Sequence, residues 1–133
     1  MVSRERGRAA VALGVMVWVV TVAEALAMGG AGAAKFLSDA WPAMFVGWGY
    51  PEWFTYVVAG VEVLGAVALL VPRAAGYGAL LLATVMLGAA GTLLTTSYET
   101  QLGPTPPVVH ATLLLVLARV RWRLRFRRGA SRV

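Results

Sequence analysis

Arginine is confined to three places in this chain, and four oily stretches lie between and beside them. Arg4, Arg6 and Arg8 precede the first stretch, and Arg73 sits in the break between the second and third. Arg119, Arg121, Arg123, Arg125, Arg127, Arg128 and Arg132 end the fourth. The connections between stretches one and two, and between three and four, hold one lysine, Lys35, and no arginine. Basic connections stay on the cytoplasmic side of a membrane, so such alternation orients the helices. The pattern predicts an all-α fold: a transmembrane up-down four-helix bundle with the N and C termini cytoplasmic. A multi-pass position in the cell membrane follows.

Composition agrees with a lipid-facing chain. The 133 residues are 59% hydrophobic and only 14% charged, where a soluble domain carries about 25% charged residues. There are too few charges to build an aqueous surface, and the length allows one domain. The net charge of +6 points to anionic lipid rather than to nucleic acid, because seven of the basic residues form a short tail directly behind an apolar segment. Cysteine is absent, which excludes a dithiol redox centre, a disulfide framework and thiolate metal ligation.

Residues 1–8 read as a basic cytoplasmic start, 9–122 as the membrane domain and 123–133 as a basic tail. The first span is expected over about 7–30, with Glu24 interrupting its apolar run. A cleaved signal peptide ending near Ala25-Leu26-Ala27 is the alternative for this segment. Residues 35–52 form the first outer connection, rich in aromatic residues that settle at the headgroup level. Gly49-Tyr50-Pro51 should turn the chain there, with Pro51 opening the next helix. The second span is expected over about 51–71 and the third over about 74–96, the latter about 34 Å long. Pro72 to Gly76 is a tight cytoplasmic turn. The fourth span is expected over about 107–122, with Arg119 and Arg121 snorkelling to the inner headgroups. Beyond it, the arginine-rich tail either extends the helix along the membrane surface or frays. Small residues, among them Gly14, Gly29, Gly30, Gly32, Ala59, Gly60, Gly65, Ala66 and 88–91, are expected to let the helices approach closely.

Ionisable groups at depth are the candidates for function. Glu62 falls near the bilayer centre, where a charged group is expensive and usually faces the bundle interior. Ala59, Gly65, Ala66 and Leu69 share its helical face. Glu62 either fixes the bundle by a hydrogen bond or forms part of a ligand or proton site. Glu24 sits in the outer third of the first span and can reach toward Lys35 or His110, or rest as an interfacial carboxylate. His110 is the sole histidine. Histidine titrates near neutrality, so His110 suits either a proton relay to Glu62 or a structural hydrogen bond. One histidine without cysteine supports neither a bis-histidine haem nor a metal cluster. Glu24, Lys35, Tyr56, Glu62, Tyr98 and His110 all map to the outer half or the middle. An outward-opening pocket beneath Trp41, Trp48 and Tyr50 follows, of a kind that suits a small amphipathic molecule such as a quinone ring. Glu62, His110 and Glu24 are the candidate catalytic residues. Lys35, Trp48, Tyr50, Tyr56 and Tyr98 are the candidate ligand contacts.

Several motifs give the chain a family likeness. Small residues run into Lys35-Phe36, and Phe45 is followed by Gly49-Tyr50-Pro51. Then come Gly60-Val61-Glu62-Val63-Leu64-Gly65 and Leu69-Leu70-Val71-Pro72-Arg73. In order and spacing, over residues 8–122, this resembles the DoxX-like family of small four-helix membrane proteins. The resemblance implies relatives that include the small subunit of a thiosulfate:quinone oxidoreductase, and others named as oxidoreductases without demonstrated chemistry. The family's lysine, glutamate and arginine match Lys35, Glu62 and Arg73. Glu24 is less typical of it. The missing cysteines remove direct thiol exchange with a sulfur substrate, but not a quinone role.

Three functions compete. A quinone-holding subunit of a membrane redox complex would move protons through Glu62 and His110 and take electrons from a protein partner or the substrate. A non-catalytic module would assemble or anchor partners, tolerate Glu62→Gln, and use its arginine tail on lipid or protein. A small carrier, or a cofactor-free isomerase or cyclase, would turn over without a redox partner. No intrinsic cofactor is expected, quinone is the candidate guest, membrane lipid is the expected surrounding, and a homodimer could enclose a transport path.

Overall fold

The structure is a computed structural model, and it describes residues 2–96 and 103–130. The described residues form five helices and no strand: α1 (Val2–Leu37), α2 (Ala40–Gly47), α3 (Glu52–Leu70), α4 (Ala75–Thr95) and α5 (Thr105–Ala130). Where lipid offers no hydrogen bonds, a helix satisfies its own backbone, which is why such apolar runs take this form. Among the described residues, α1, α3 and α4 are long and apolar enough to cross a membrane. α5 is 26 residues long, but arginines take up its second half. Three such helices suit a chain embedded in a membrane.

α1 is longer than expected. It does not stop at Gly30 but continues to Leu37, 36 residues in all. Its buried positions, Val17, Thr21, Glu24, Ala25, Met28, Gly32 and Lys35, recur every three or four residues through the glycines. This places Glu24 and Lys35 on one face of one helix. The first connection contains α2, which ends at Gly47 and is followed by a turn at Gly49, where φ is +89°. There the Gly49 N–H donates to the Val46 carbonyl and that of Tyr50 to the Phe45 carbonyl, both at 2.9 Å. A positive φ suits glycine, which lacks the Cβ that makes it costly. Pro51 then caps α3 from the extended region, with the Phe54 N–H donating to its carbonyl at 3.0 Å. α5 continues through the arginine-rich segment to Ala130, so the tail extends the helix.

α1 packs on α3, α3 on α4 and α4 on α5, while α5 also touches α1. The α1–α3 seam is tight because Gly32 presents no side chain. A Cβ there would meet the Ala59 carbonyl oxygen at 2.9 Å and the Glu62 Cβ at 3.1 Å. The α3–α4 seam interlocks at two glycines. A Cβ at Gly65 would lie 2.6 Å from Leu82 Cγ, and one at Gly78 would lie 2.8 Å from the Gly65 carbonyl oxygen. Not every glycine acts this way. Gly14, Gly30, Gly60, Gly88 and Gly91 have open space where a Cβ would be, so these members of the expected small-residue set are not at close seams. Gly78, outside that set, is. The core lies where the four long helices meet, around Leu69, Leu82 and Leu114, all essentially inaccessible. Val11, Leu26, Leu64 and Leu94 point outward, as lipid-facing positions do.

Candidate functional site

A recess of about 720 Å³ lies between α2, α3, α4, the start of α5 and the end of α1. Its walls are mostly apolar and aromatic. Met28, Met44, Met86, Trp41, Phe45 and Phe54 contribute, along with Trp48, Tyr50, Lys35, Glu62 and His110. The aromatic residues hold one another. The Phe45 ring lies 5.3 Å from that of Trp48 and 6.2 Å from that of Phe54, and Tyr50 lies 5.2 Å from Phe54. The turn at Gly49 brings Tyr50 back over α2, so two short segments form one aromatic wall.

Lys35 and Glu62 meet in this wall. Lys35 Nζ donates to Glu62 Oε2 at 2.7 Å, across 27 residues of sequence. Their side chains are 7% and 2% exposed, so water screens the pair little. Nζ also lies 4.5 Å from the centre of the Trp41 ring and 3.5 Å from the Ala31 carbonyl oxygen. One cation is thus shared by a carboxylate, a π face and a backbone acceptor. The α1 stripe delivers Lys35 and the α3 stripe delivers Glu62. Ala59, Gly65, Ala66 and Leu69, expected on the Glu62 face, are all buried with it.

Glu24 takes a different partner. Its two carboxylate oxygens lie 3.1 and 3.0 Å from His110 Nδ1. A ring carrying its proton on Nδ1 would donate to this carboxylate. Glu24 is buried, while the His110 side chain is 31% exposed. Of the two partners open to Glu24 from sequence, the structure selects His110. The expected relay from His110 to Glu62 is not a direct contact, since no hydrogen bond joins them among the described residues. Both line the recess, so anything passing between them passes through its contents.

The remaining expected site residues divide. Trp48 and Tyr50 line the recess. Tyr56 does not. It is 41% exposed and stacks on Phe36 at 6.0 Å on the outer surface, because its place on α3 turns it away from Glu62. Glu24 stands behind His110 rather than in the wall. Tyr98 lies outside the described residues. Thr92 is a contact that sequence reasoning missed. Its Oγ1 is 2.8 Å from the Tyr50 hydroxyl, tying the turn after α2 to α4. Threonine in a helix can bond its own backbone, as Thr92 does to the Gly88 carbonyl at 3.0 Å, so nothing distinguished it from Thr95 and Thr96.

At the opposite end, the expectation that Arg121 reaches only to the headgroups needs correction. Arg121 does not simply snorkel outward. Its Nη2 donates to Thr21 Oγ1 at 2.9 Å, and its guanidinium lies 4.7 Å from the centre of the Trp18 ring. Thr21 is fully buried and donates in turn to the Val17 carbonyl at 2.6 Å. No group of three or more histidine or acidic side chains placed to hold a metal occurs among the described residues.

A family profile described as the DoxX-like family matches residues 19–118. That interval contains Glu24, Lys35, Glu62 and His110, and it covers most of the chain. No curated protein and no solved structure matches the chain.

Proposed function

The chain belongs to the DoxX-like family, and from that premise we propose that it is a multi-pass protein of the cell membrane whose recess holds a ring-bearing amphipathic guest of the quinone class. In this reading four helices cross, α5 by its apolar first half, and both termini lie on the arginine-rich cytoplasmic side. The observation that carries the reading is the buried Lys35–Glu62 pair set in a mostly apolar, aromatic wall. Apolar pockets with a few convergent polar groups fit such molecules. Trp41, Phe45 and Phe54 offer ring faces for stacking. Lys35 offers a charged donor to a carbonyl oxygen, and Glu62 beside it can take or return a proton. His110, backed by Glu24, supplies a second proton-handling group on the same recess. Reduction of a quinone to the hydroquinone consumes two electrons and two protons. The protein's side chains handle the protons, and a redox protein partner supplies the electrons, which makes this chain a subunit or accessory of a membrane redox complex.

The test is purification in mild detergent, followed by native mass spectrometry, an absorption spectrum and lipid extraction. The expected result is a stoichiometric quinone in the wild type that is lost in Glu62→Gln. A short-chain benzoquinone should also quench tryptophan fluorescence in the wild type and less in Glu62→Gln. An empty wild type that benzoquinone leaves unquenched, with Glu62→Gln assembling identically, would overturn the proposal and make the chain a structural module.

A further inference from the structure

The end of the molecule away from the recess carries a second cavity. It holds about 200 Å³ where the turn between α3 and α4 meets the second half of α5, and Arg73, Arg121 and Arg125 all line it. We propose that this cleft binds the phosphate of an anionic phospholipid headgroup, independently of any guest in the recess.

The first argument is charge. Three arginines, from the α3–α4 turn and from α5, line one small cleft, and no acidic residue does. Like charges gathered in this way repel, and an anion between them converts the repulsion into attraction. Guanidinium is the group that matches phosphate oxygens two at a time. Arg121 is anchored to α1 by its bond to Thr21 and its contact with the Trp18 ring, which leaves Arg73 and Arg125 as the two arginines the test removes.

The second argument is the backbone beside those arginines. The first turn of α4 borders the cleft at Gly76 and Tyr77. The residue that caps it is Ala74, whose side chain offers no acceptor. The helix start therefore adds its partial positive charge to the arginines instead of spending it on a cap.

The third argument selects the source of the phosphate. Trp122 packs against Gly76, where a Cβ would sit 3.1 Å from the indole nitrogen, and Tyr77 meets Trp122 edge-on at 6.2 Å. Tryptophan and tyrosine beside arginine mark the headgroup level of a membrane. The cleft has room for a phosphate and some of its water but not for a whole lipid, at about 30 Å³ per water molecule. The acyl chains would then run along the apolar outer faces of α4 and α5.

The test uses the full-length protein, delipidated in detergent and offered phosphatidylglycerol or phosphatidylcholine, with lipid retention read by native mass spectrometry. Wild type should retain phosphatidylglycerol in preference to phosphatidylcholine. Arg73→Gln/Arg125→Gln should retain it about tenfold less, as expected for loss of charge-assisted contacts. Arg119→Gln/Arg123→Gln removes the same charge from residues that do not line the cleft, and it should behave as wild type. Equal losses in the two double variants would mean general charge attraction and overturn the site. Displacement of phosphatidylglycerol by millimolar inorganic phosphate, with a rise in melting temperature from phosphate alone, would overturn the lipid source in favour of a soluble anion. Should the first double variant not fold, wild type decides the matter. No preference for phosphatidylglycerol over phosphatidylcholine refutes the proposal, and a preference that resists inorganic phosphate supports it.

Discussion

Removing Lys35 should damage the protein more than altering Glu62, although the two form one pair. Glu62 is 2% exposed, and Lys35 is its one hydrogen-bond partner among the described residues. Lys35→Met leaves a buried carboxyl group without a cation, and stranding one member of a buried pair costs about 3–5 kcal/mol. Glu62→Gln is milder. The amide oxygen still accepts from Nζ, and Lys35 keeps the Trp41 ring at 4.5 Å and the Ala31 carbonyl at 3.5 Å. The loss there is the difference between a charged and a neutral acceptor, about 1–2 kcal/mol. Replacing both, as Lys35→Met/Glu62→Leu, removes the desolvation penalty together with the attraction and should come within about 1 kcal/mol of wild type. Reversible unfolding in mixed detergent, followed by tryptophan fluorescence and circular dichroism, measures all four proteins, and adding the single Glu62→Leu closes the double-mutant cycle with Lys35→Met. If Lys35→Met proves as mild as Glu62→Gln, or if the double variant is no more stable than Lys35→Met, the pair does not behave as a buried ion pair and the reasoning is refuted.

Three further outcomes follow from the packing. Gly78→Ala should destabilise by about 1–3 kcal/mol, the usual effect of overpacking, because its Cβ would press on the Gly65 carbonyl at 2.8 Å and the Leu69 nitrogen at 2.9 Å. Gly60→Ala, with open space at that position, should gain up to about 1 kcal/mol, and comparison of the two melting curves checks the contrast. Tyr50→Phe deletes the 2.8 Å bond to Thr92, should cost about 1 kcal/mol, and should speed amide exchange in the 45–54 segment, read by hydrogen–deuterium exchange. His110→Ala strands Glu24, which is 4% exposed, and should cost about 1–3 kcal/mol. Adding Glu24→Gln to it should restore part of that loss in the same unfolding assay.

The apolar spans were legible because hydropathy reports directly on burial in lipid. The termini of α3 and α4 lie within a residue or so of where Pro51, Pro72 and the threonine run place them. The end of α1 was not legible by that route. Gly29, Gly30 and Gly32 read as a helix running out, whereas Gly29 and Gly32 are points of close approach to α3. The spacing of Glu24 and Lys35, eleven residues apart, would have shown the helix continuing, since that interval is three turns and returns to the same face. Glu62, Lys35, Glu24 and His110 stood out individually because polar groups at membrane depth are rare. Which acid met which base was hidden, because that depends on the helix seams. Those seams are set by a few glycines, and open glycines such as Gly60 look the same in sequence. The recess itself depends on α2 folding back at Gly49, a placement that the turn signal announced but could not aim.

Apolar burial separates inside from outside poorly in such a protein, since lipid chains solvate leucine as well as a core does. Specific seams must therefore come from close backbone approach and from the few polar bonds between helices. Lys35–Glu62 joins α1 to α3, Glu24–His110 and Thr21–Arg121 join α1 to α5, and Tyr50–Thr92 ties the turn before α3 to α4. The structural and functional readings of Glu62 are therefore not true alternatives. The bond that holds α1 against α3 is also the polar feature of the recess wall. A guest that accepts a hydrogen bond from Lys35 must either share Nζ with Glu62 or displace it. A lysine has three donors, and Nζ already spreads its charge over a carboxylate and a ring. Sharing keeps the seam closed and lets binding stabilise the fold. Displacement would leave a carboxyl group to be neutralised by a proton. If a guest displaces Glu62 from Nζ, proton uptake at Glu62 and loosening of the α1–α3 seam become one event, because the same bond closes the seam and holds the carboxylate's charge.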